Sequence, residues 1–390
     1  MMLVQGDFAV DGITPKQVVS PQSAEEIADI VRRGGAIIPR GGGTMMSLGN
    51  VPRAVDVVVC TTELNRVLEY EPADLVVTVE AGMRVGELQR VLGERGQCLP
   101  LDPPLPEQAT IGGVIATNAS GPLRLRHGTV RDMLIGIKVV NADGAITKGG
   151  GKVVKNVTGY DMGKLYTGSL GTLGIIVEAS FKLAPLPARE VTVLAGFKDL
   201  APAYEAARAI YKSGLPVRAC ELLSPAASEA GQHELAIWPG GGQASVERQQ
   251  RDVAAMCRAA AELAVLEGGE AKPLWRRIED FGHEQAVSRT KLSVLPSRTG
   301  ELLAKLPAGS RFVSHVLSGV TYVADGDPAA LARTAQEMGG YGVVEACPLE
   351  LKQRLDVWGP VGPDFKIMER IKREFDPNGI LNPGRYVGRL

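Results

Sequence analysis

The 390-residue chain has few of the residues that mark metal-binding, disulfide-linked or membrane-spanning proteins. Its five cysteines are far apart, with no Cys-x-x-Cys pair and no histidine at metal-ligand spacing, so we expect buried thiols and no bound metal. No apolar run approaches the roughly 20 residues that span a bilayer. The formal net charge of −1 gives no sign of a nucleic-acid-binding protein. The N-terminus lacks the basic and then apolar stretch of a secretory leader, so we expect a cytoplasmic location.

The first half of the chain alternates between helix and strand patterns. Ser23 and Glu26 have the spacing of a capping box, and Gly34 follows the helix that they begin. Buried strands are predicted over 36–39 and 55–60 on either side of a glycine-rich stretch. This half therefore mixes helices with strands.

The pattern changes after Pro187, where glycine motifs become rare. Ala-rich stretches predict helices over 201–212 and 247–266, separated by pieces that resemble strands. An amphipathic helix is predicted from Phe365 to the turn at Asp376. At this length two or three domains are expected. We predict an α+β protein with domain boundaries at 1–188, 189–340 and 341–390.

Arg40-Gly41-Gly42-Gly43-Thr44 lies between two predicted strands and fits neither a helix nor a strand pattern. Consecutive glycines let backbone N–H groups converge on one point, and such a nest binds phosphate. A mobile turn is the alternative interpretation. The stretch is not a P-loop, since G-x-x-x-x-G-K-[ST] is absent, and Met46 stands where a Rossmann fingerprint needs a small residue.

Two further clusters of small residues follow this loop. Residues 109–121 place glycine, alanine, threonine and serine at the start of a predicted helix, and residues 168–176 repeat the theme before a strand. Tight helix packing would explain either cluster alone. Three glycine-rich, charge-poor clusters in one domain suit a long, bent ligand that contains phosphate better than three unrelated turns.

Four motifs in order then resemble the vanillyl-alcohol-oxidase type of flavoprotein. They are R-G-G-G-T, A-T-I-G-G-x-I-A-T-N-A-S-G, G-Y-D-M-G-K-L-Y-T-G-S-L-G-T-L-G-I-I and F-D-P-N-G-I-L-N-P-G. Within this superfamily the chain is most similar to the FAD-binding E subunits of bacterial glycolate oxidases. The resemblance implies a PCMH-type FAD-binding domain of two α/β subdomains, an α+β cap domain, and a C-terminal segment that returns to the FAD domain.

The resemblance also implies which residues bind FAD. Residues 41–44 would hold the pyrophosphate, residues 110–121 would line the flavin, residues 175–177 would lie near the adenine, and Asn382 would reach the cofactor from the C-terminal return. The full predicted set is Arg40, Gly41, Gly42, Gly43, Thr44, Met45, Leu48, Thr110, Gly112, Gly113, Ala116, Asn118, Ser120, Gly121, Gly174, Ile175, Ile176, Val177 and Asn382.

Departures from the family pattern modify this expectation. Relatives that attach FAD covalently carry histidine after the glycines, whereas this chain has Thr44, so we expect non-covalent FAD. Catalytic 2-hydroxy-acid dehydrogenases of this type carry H-x-G-x-G-N-x-H and a later E-H-G, which bind a metal. Only His315 and Glu345 survive here, which is too few ligands. Lys352 fits a family position, although an ordinary surface lysine is the alternative.

These observations leave several functions open. The chain is expected to oxidise a small 2-hydroxy acid, such as glycolate to glyoxylate, by hydride transfer to flavin N5. The candidates for base or carboxylate anchor are His315, His127, Arg126 and Lys291. The alternatives are a non-catalytic accessory subunit and a stand-alone dehydrogenase. A reductase of cell-wall precursors is disfavoured by the C-terminal motif. The resemblance implies a second flavoprotein subunit and an iron–sulfur subunit as partners, and membrane contact only through them.

Overall fold

The computed structural model describes residues 8–151, 160–283 and 286–390. The first seven residues, on which the expectation about a leader rests, lie outside this range, as does Gly159 of the third motif. The strands are β1 (Gln17–Val19), β2 (Ile37–Arg40), β3 (Val57–Cys60), β4 (Val67–Glu71), β5 (Val76–Glu80), β6 (Gln97–Cys98), β7 (Leu134–Val140), β8 (Ile146–Gly150), β9 (Ile175–Lys182), β10 (Ala184–Pro185), β11 (Arg189–Phe197), β12 (Ala219–Leu223), β13 (His233–Trp238), β14 (Gly240–Gly241), β15 (Glu262–Glu267), β16 (Arg289–Ser293), β17 (Arg311–His315), β18 (Val320–Ala324) and β19 (Tyr341–Ala346).

Helices connect these strands, and several are single turns. They are α1 (Ala24–Arg33), α2 (Val85–Gly93), α3 (Ile111–Thr117), α4 (Arg124–His127), α5 (Val130–Met133), α6 (Met162–Tyr166), α7 (Leu200–Ser213), α8 (Gln243–Met256), α9 (Lys272–Glu279), α10 (Thr299–Lys305), α11 (Pro328–Glu337), α12 (Leu349–Lys352) and α13 (Phe365–Phe375). Within the described residues, no helix has the length and apolar character needed to cross a bilayer.

The chain forms two units. The first contains residues 1–120, 129–186 and 349–390, and the second contains residues 121–128 and 187–348. The sequence pattern placed a boundary at 340/341, whereas β19 pairs with β16 and therefore belongs to the sheet of the second unit.

The first unit has a parallel sheet in the order β1-β3-β2 and an antiparallel sheet in the order β4-β5-β9-β7-β8. The predicted capping box begins α1, where the Ser23 hydroxyl accepts a hydrogen bond from the Glu26 N–H. Gly34 ends that helix at φ +77°. The C-terminal segment returns to this unit, since the Asn382 N–H donates to the Ile37 carbonyl. The return brings Asn382 beside the loop that follows β2.

The second unit is built on a large, mainly antiparallel sheet, which has nine strands in the described residues. Side chains alternate between the two faces of each strand. One face packs against α7, α8, α10 and α11, and the other carries the cluster that includes Trp275 of α9. The helix predicted over 247–266 is wrong in its second half. There the chain turns back as β15 and pairs with β11, because tertiary pairing overrides the local preference of an Ala-rich segment.

Candidate functional site

The glycine-rich loop after β2 lies against residues 108–110. A Cβ added at Gly42 would lie 1.8 Å from the Gln108 carbonyl oxygen, and one at Gly41 would lie 2.0 Å from the Thr110 hydroxyl. Gly43 adopts φ +80°, which few other residues tolerate. Glycine is therefore needed for the loop to pack and turn in this way.

The backbone N–H groups of this loop are uncommitted. In the part of the chain that the structure describes, the N–H groups of residues 41–45 donate to no protein acceptor, whereas the Met46 N–H donates to the Gly43 carbonyl. Uncommitted N–H groups in consecutive residues form an anion-binding concavity. The loop therefore has the hydrogen-bonding capacity that a pyrophosphate needs.

A cleft of about 640 Å³ opens beside this loop. It passes α3, where a Cβ at Gly113 would meet only the Thr110 hydroxyl, at 3.2 Å. The Thr110 hydroxyl caps α3 by accepting from the Gly113 N–H. Nine of the predicted FAD-binding residues line the cleft together, namely Gly41, Gly42, Gly43, Thr44, Met45, Thr110, Gly113, Ala116 and Asn382. Arg385 also lines it and was missed by the sequence analysis.

The other predicted residues do not line this cleft. Ile175, Ile176 and Val177 are buried in the core with β9, and Gly174 packs against Val139. Arg40 lies over the Phe8 ring, Leu48 is buried, and Gly112 faces Ala81. Asn118 ends α3 in a left-handed conformation, Ser120 is buried nearby, and Gly121 belongs to the second unit. Their contact with FAD stays a prediction.

The second unit contains a buried cluster of charged and polar side chains. The Nδ1 atom of His315 lies 2.5 Å from the Glu221 carboxylate, and their side chains are 4% and 1% exposed. Strand alternation puts these residues on the face that also presents Lys291, Arg289 and Tyr322. The sheet thus gathers residues that are distant in sequence.

Burial determines the charge state of the His315–Glu221 pair. Burial raises the pKa of Glu221 well above its ordinary value, although the Arg124 charge opposes this. Burial, then Arg124, Lys291 and Arg289, lower the pKa of His315 well below its ordinary value. Both shifts favour the neutral form of each group; in that state the Glu221 hydroxyl donates to Nδ1 and the His315 proton is on Nε2.

Several polar atoms of this cluster make no hydrogen bond within the described part of the chain. His315 Nε2 and Arg289 Nε and Nη1 are buried without a hydrogen bond in the described residues. The Arg289 guanidinium contacts Glu345 at 3.4 Å and lies 4.5 Å from the centre of the Tyr322 ring. The charge of Tyr322 raises the pKa of Lys291 more than burial lowers it, and Glu345 raises it further, so the cationic form of this lysine is favoured. Donors without a hydrogen bond beside cations suit a small anionic ligand.

Two of the predicted catalytic residues belong to this cluster and two do not. His315 and Lys291 are in it, whereas Arg126 is exposed on α4 and His127 is half-buried near Arg218. Burial, then Arg218 and Arg126, lower the pKa of His127. Arg124, Glu221 and Arg289 were not predicted from the sequence: strand pairing brings Glu221 and Arg289 to the cluster, and Arg124 acts on it from α4.

The cluster does not offer a metal site. Among residues 8–151, 160–283 and 286–390, no group of three or more His, Cys, Asp or Glu side chains could hold a metal ion. His315 uses Nδ1 on Glu221, and Glu345 faces the Arg289 guanidinium. A nearby guanidinium repels a divalent cation. The two surviving family ligands therefore have other partners.

A glycine loop with free N–H groups, a cleft that leads from it, and a separate α+β unit define a flavoprotein with a PCMH-type FAD-binding domain. Comparison with known proteins agrees with this class. A model described as "FAD binding domain" matches residues 15–150, and one described as "FAD linked oxidases, C-terminal domain" matches residues 186–323 and 359–386. The chain belongs to this family of FAD-linked oxidases, and its cofactor is FAD.

Individual relatives are more distant. The chain is 27% identical to glycolate oxidase subunit GlcD of Bacillus subtilis (strain 168), over 96% of this chain and 89% of GlcD. It is 28% identical to the mitochondrial D-lactate dehydrogenase [cytochrome] of Arabidopsis thaliana, over 96% and 73%. A D-2-hydroxyglutarate dehydrogenase of Xanthomonas citri pv. viticola is 37% identical over 46% of this chain and 39% of its own length.

The same fold occurs in a solved structure. Alkyldihydroxyacetonephosphate synthase superposes with a TM-score of 0.68 at 19% identity, over 94% of this chain and 75% of the synthase. At this identity the likeness establishes the fold alone. The fold class predicted from the sequence is confirmed.

Proposed function

We propose that this chain is the FAD-binding oxidoreductase subunit of a glycolate oxidase-type complex. It oxidises a small 2-hydroxy acid, glycolate to glyoxylate, and its electrons pass to a partner subunit. The observation that carries the proposal is the uncommitted row of N–H groups at residues 41–45 beside a glycine-lined cleft. The similarity to GlcD and to D-lactate dehydrogenase supports the choice of substrate class.

The residues of the cleft fit FAD. The loop at 41–45 would hold the pyrophosphate, and Thr110, Gly113 and Ala116 would line the flavin ring. Relatives that attach FAD covalently do so through a histidine after the glycines. Thr44 occupies that position here, so FAD is bound non-covalently. When bound, the flavin supplies hydride acceptance at its N5 atom.

The buried cluster of the second unit carries the groups that an anionic substrate needs. Lys291 and Arg289 are cations that can hold a carboxylate, and the Nε2–H of His315 can donate to a substrate oxygen. His315 in this tautomer is a donor, because its Nδ1 accepts from Glu221. The cluster therefore binds and orients an acid more readily than it removes a proton.

Electrons need a further acceptor on another polypeptide. The described cysteines are all free, and none belongs to a group that could hold a metal. An iron–sulfur cluster needs about four closely placed thiolates. The partners in this proposal are a second flavoprotein subunit and an iron–sulfur subunit. The location is the cytoplasm, with membrane contact only through the partners.

A second candidate is an accessory subunit that carries FAD without oxidising the acid itself. The donor tautomer of His315 and the pairing of Glu345 with Arg289 favour this candidate, because neither residue can serve as base or metal ligand in that state.

Anaerobic mixing separates the two candidates. The FAD-loaded chain is mixed with excess glycolate or D-lactate, alone and then with the co-purified partner subunits, while the flavin absorbance is followed. Slow bleaching alone and fast bleaching with partners supports the subunit proposal. If glycolate and D-lactate bleach this chain's flavin in neither mixture, the accessory candidate is supported. Rapid, complete bleaching without partners makes the chain a stand-alone dehydrogenase.

A further inference from the structure

Two buried cations from the C-terminal segment hold the far end of the glycine-rich loop. The Arg385 guanidinium donates from Nη2 to the carbonyls of Met46 and Leu48, each at 2.5 Å. The Lys352 ammonium donates to the Ser47 carbonyl at 2.7 Å. Three successive carbonyls of the loop are thus bound by two side chains that lie more than 300 positions away in sequence.

Both cations of these contacts are buried, and a carboxylate lies beside them. Lys352 and Arg385 are each 2% exposed, and burial lowers the pKa of Arg385 to about 10. Asp11 accepts from Lys352 at 2.6 and 2.7 Å, and its charge also acts on Arg385. Two cations share one carboxylate, so this end of the loop carries a net positive charge.

The geometry points to a two-cation clamp, formed by Lys352 and Arg385, that fixes the loop so that the N–H groups of residues 41–45 point at one anion. The clamp holds the carbonyls of residues 46–48, while the preceding N–H groups remain uncommitted. A peptide unit fixed at its carbonyl end limits rotation of the units before it, which lowers the entropy lost on binding. Lys352 and Arg385 are therefore positioning residues for the pyrophosphate half of the cofactor.

This inference rests on the proposed FAD site, and it predicts a selective loss. The variants Lys352→Met and Arg385→Met keep the length of an apolar stem but remove the donors. Each is expected to weaken binding of FAD and of ADP at least about tenfold, because each removes charge-assisted hydrogen bonds. Riboflavin, which has no phosphate, is expected to bind equally well to these variants and to the parent chain.

Lys372→Met is the matched control. Lys372 is also a buried lysine of the C-terminal segment bonded to carbonyls, but its acceptors are Thr172 and Leu381, together with Asp376. Its loss is expected to lower stability while FAD and ADP affinities stay within about twofold. Arg385→Lys, which can reach one of the two carbonyls, is expected to retain part of the affinity.

The measurements are fluorescence titration with FAD, ADP and riboflavin, and thermal melting of each apo-protein. The clamp is supported when Lys352→Met and Arg385→Met lose more FAD and ADP affinity than Lys372→Met does, although their melting temperatures equal that of this control. It is overturned when both bind ADP like the parent chain, or when the control loses as much. Should a methionine variant fail to fold, Lys352→Gln or Arg385→Gln takes its place, because each also removes the positive charge, and it is judged by the same criteria. A parent chain that binds no FAD refutes the proposed function itself.

Discussion

At the scale of single residues, Gly113 gives the most direct test of the cleft. A Cβ there meets only the Thr110 hydroxyl, so Gly113→Leu places its side chain in the cleft without a clash against backbone. We expect FAD affinity to fall more than about tenfold while stability is kept or raised, because leucine favours a helix over glycine by nearly 1 kcal/mol. Fluorescence titration and thermal melting of the two chains measure this.

Gly93→Leu is the control for that change. Gly93 also lies in a helix, α2, with nothing within 4 Å of its Cβ position. Equal FAD affinities of the Gly113 and Gly93 variants would show that the cleft does not hold the cofactor. Gly42 is a poorer test, because a side chain there would strike the Gln108 carbonyl and displace the loop even without ligand.

The Glu221–His315 pair allows a test of charge state. Since both pKa shifts favour a neutral pair, Glu221→Gln keeps a donor to Nδ1 and is expected to change the free energy of unfolding at pH 7 by less than about 1 kcal/mol. Glu221→Ala leaves a buried nitrogen unsatisfied and is expected to cost about 2–3 kcal/mol or more. Urea unfolding measures both. A loss above about 3 kcal/mol in the glutamine variant would indicate a buried ion pair.

Single residues also show how far the sequence could lead. The glycine loop and Thr110 were predicted because nest and small-residue motifs are local in sequence, whereas Asn382 came only from the family resemblance; all line the cleft. Arg385, Arg124 and Glu221 were not found, because charged side chains that meet distant parts of the chain leave no local pattern. Lys352 was noted only for its family position, yet it is buried and bonded to Asp11.

At the scale of elements, α1, α3 and the start of β9 matched their patterns, because caps and small-residue clusters are encoded locally. The pattern over 247–266 failed, because β15 forms only where β11 is present to pair with it. The predicted ends of strands differ from the observed ends by a few residues; β3 begins at Val57 and not at residue 55.

The turn after α13 gives a test at this scale. Asp376 accepts from the Lys372 ammonium and from the N–H groups of Ile380 and Leu381, which joins the helix to the return segment. Asp376→Ala leaves a buried lysine unpaired, and we expect a loss of about 3–5 kcal/mol in the free energy of unfolding. Asp364→Ala, at the exposed start of the same helix and without a capping bond, should change it by less than about 0.5 kcal/mol. Urea unfolding that shows equal effects would contradict the anchoring role of this turn.

At the scale of the whole molecule, the four histidines predict sensitivity to acid. Burial is the largest cause that lowers the pKa of each, to about 3 for His283, and all four belong to the second unit. Below about pH 6.5 the unfolded chain binds protons that the folded chain does not bind. The free energy of unfolding therefore decreases as the pH is lowered. Glu221, whose pKa is raised, acts in the opposite direction but is a single group.

The expected size of this effect follows from the proton count. Each proton that is bound only by the unfolded chain lowers the free energy of unfolding by about 1.4 kcal/mol for each pH unit of acidification. Between pH 6.5 and 5 we therefore expect a decrease of at least about 1.4 kcal/mol per pH unit. His283→Gln should reduce the slope. Urea unfolding of both chains across this range is the measurement, and a flat profile would contradict neutral, buried histidines.

The cleft of the first unit is expected to bind FAD without a covalent bond. The most direct measurement is titration of the purified chain with FAD, followed by acid precipitation and spectroscopy of the supernatant. We expect one flavin bound per chain, all of it released into the supernatant. A chain that stays colourless in excess FAD, or a precipitate that retains its flavin, would contradict it.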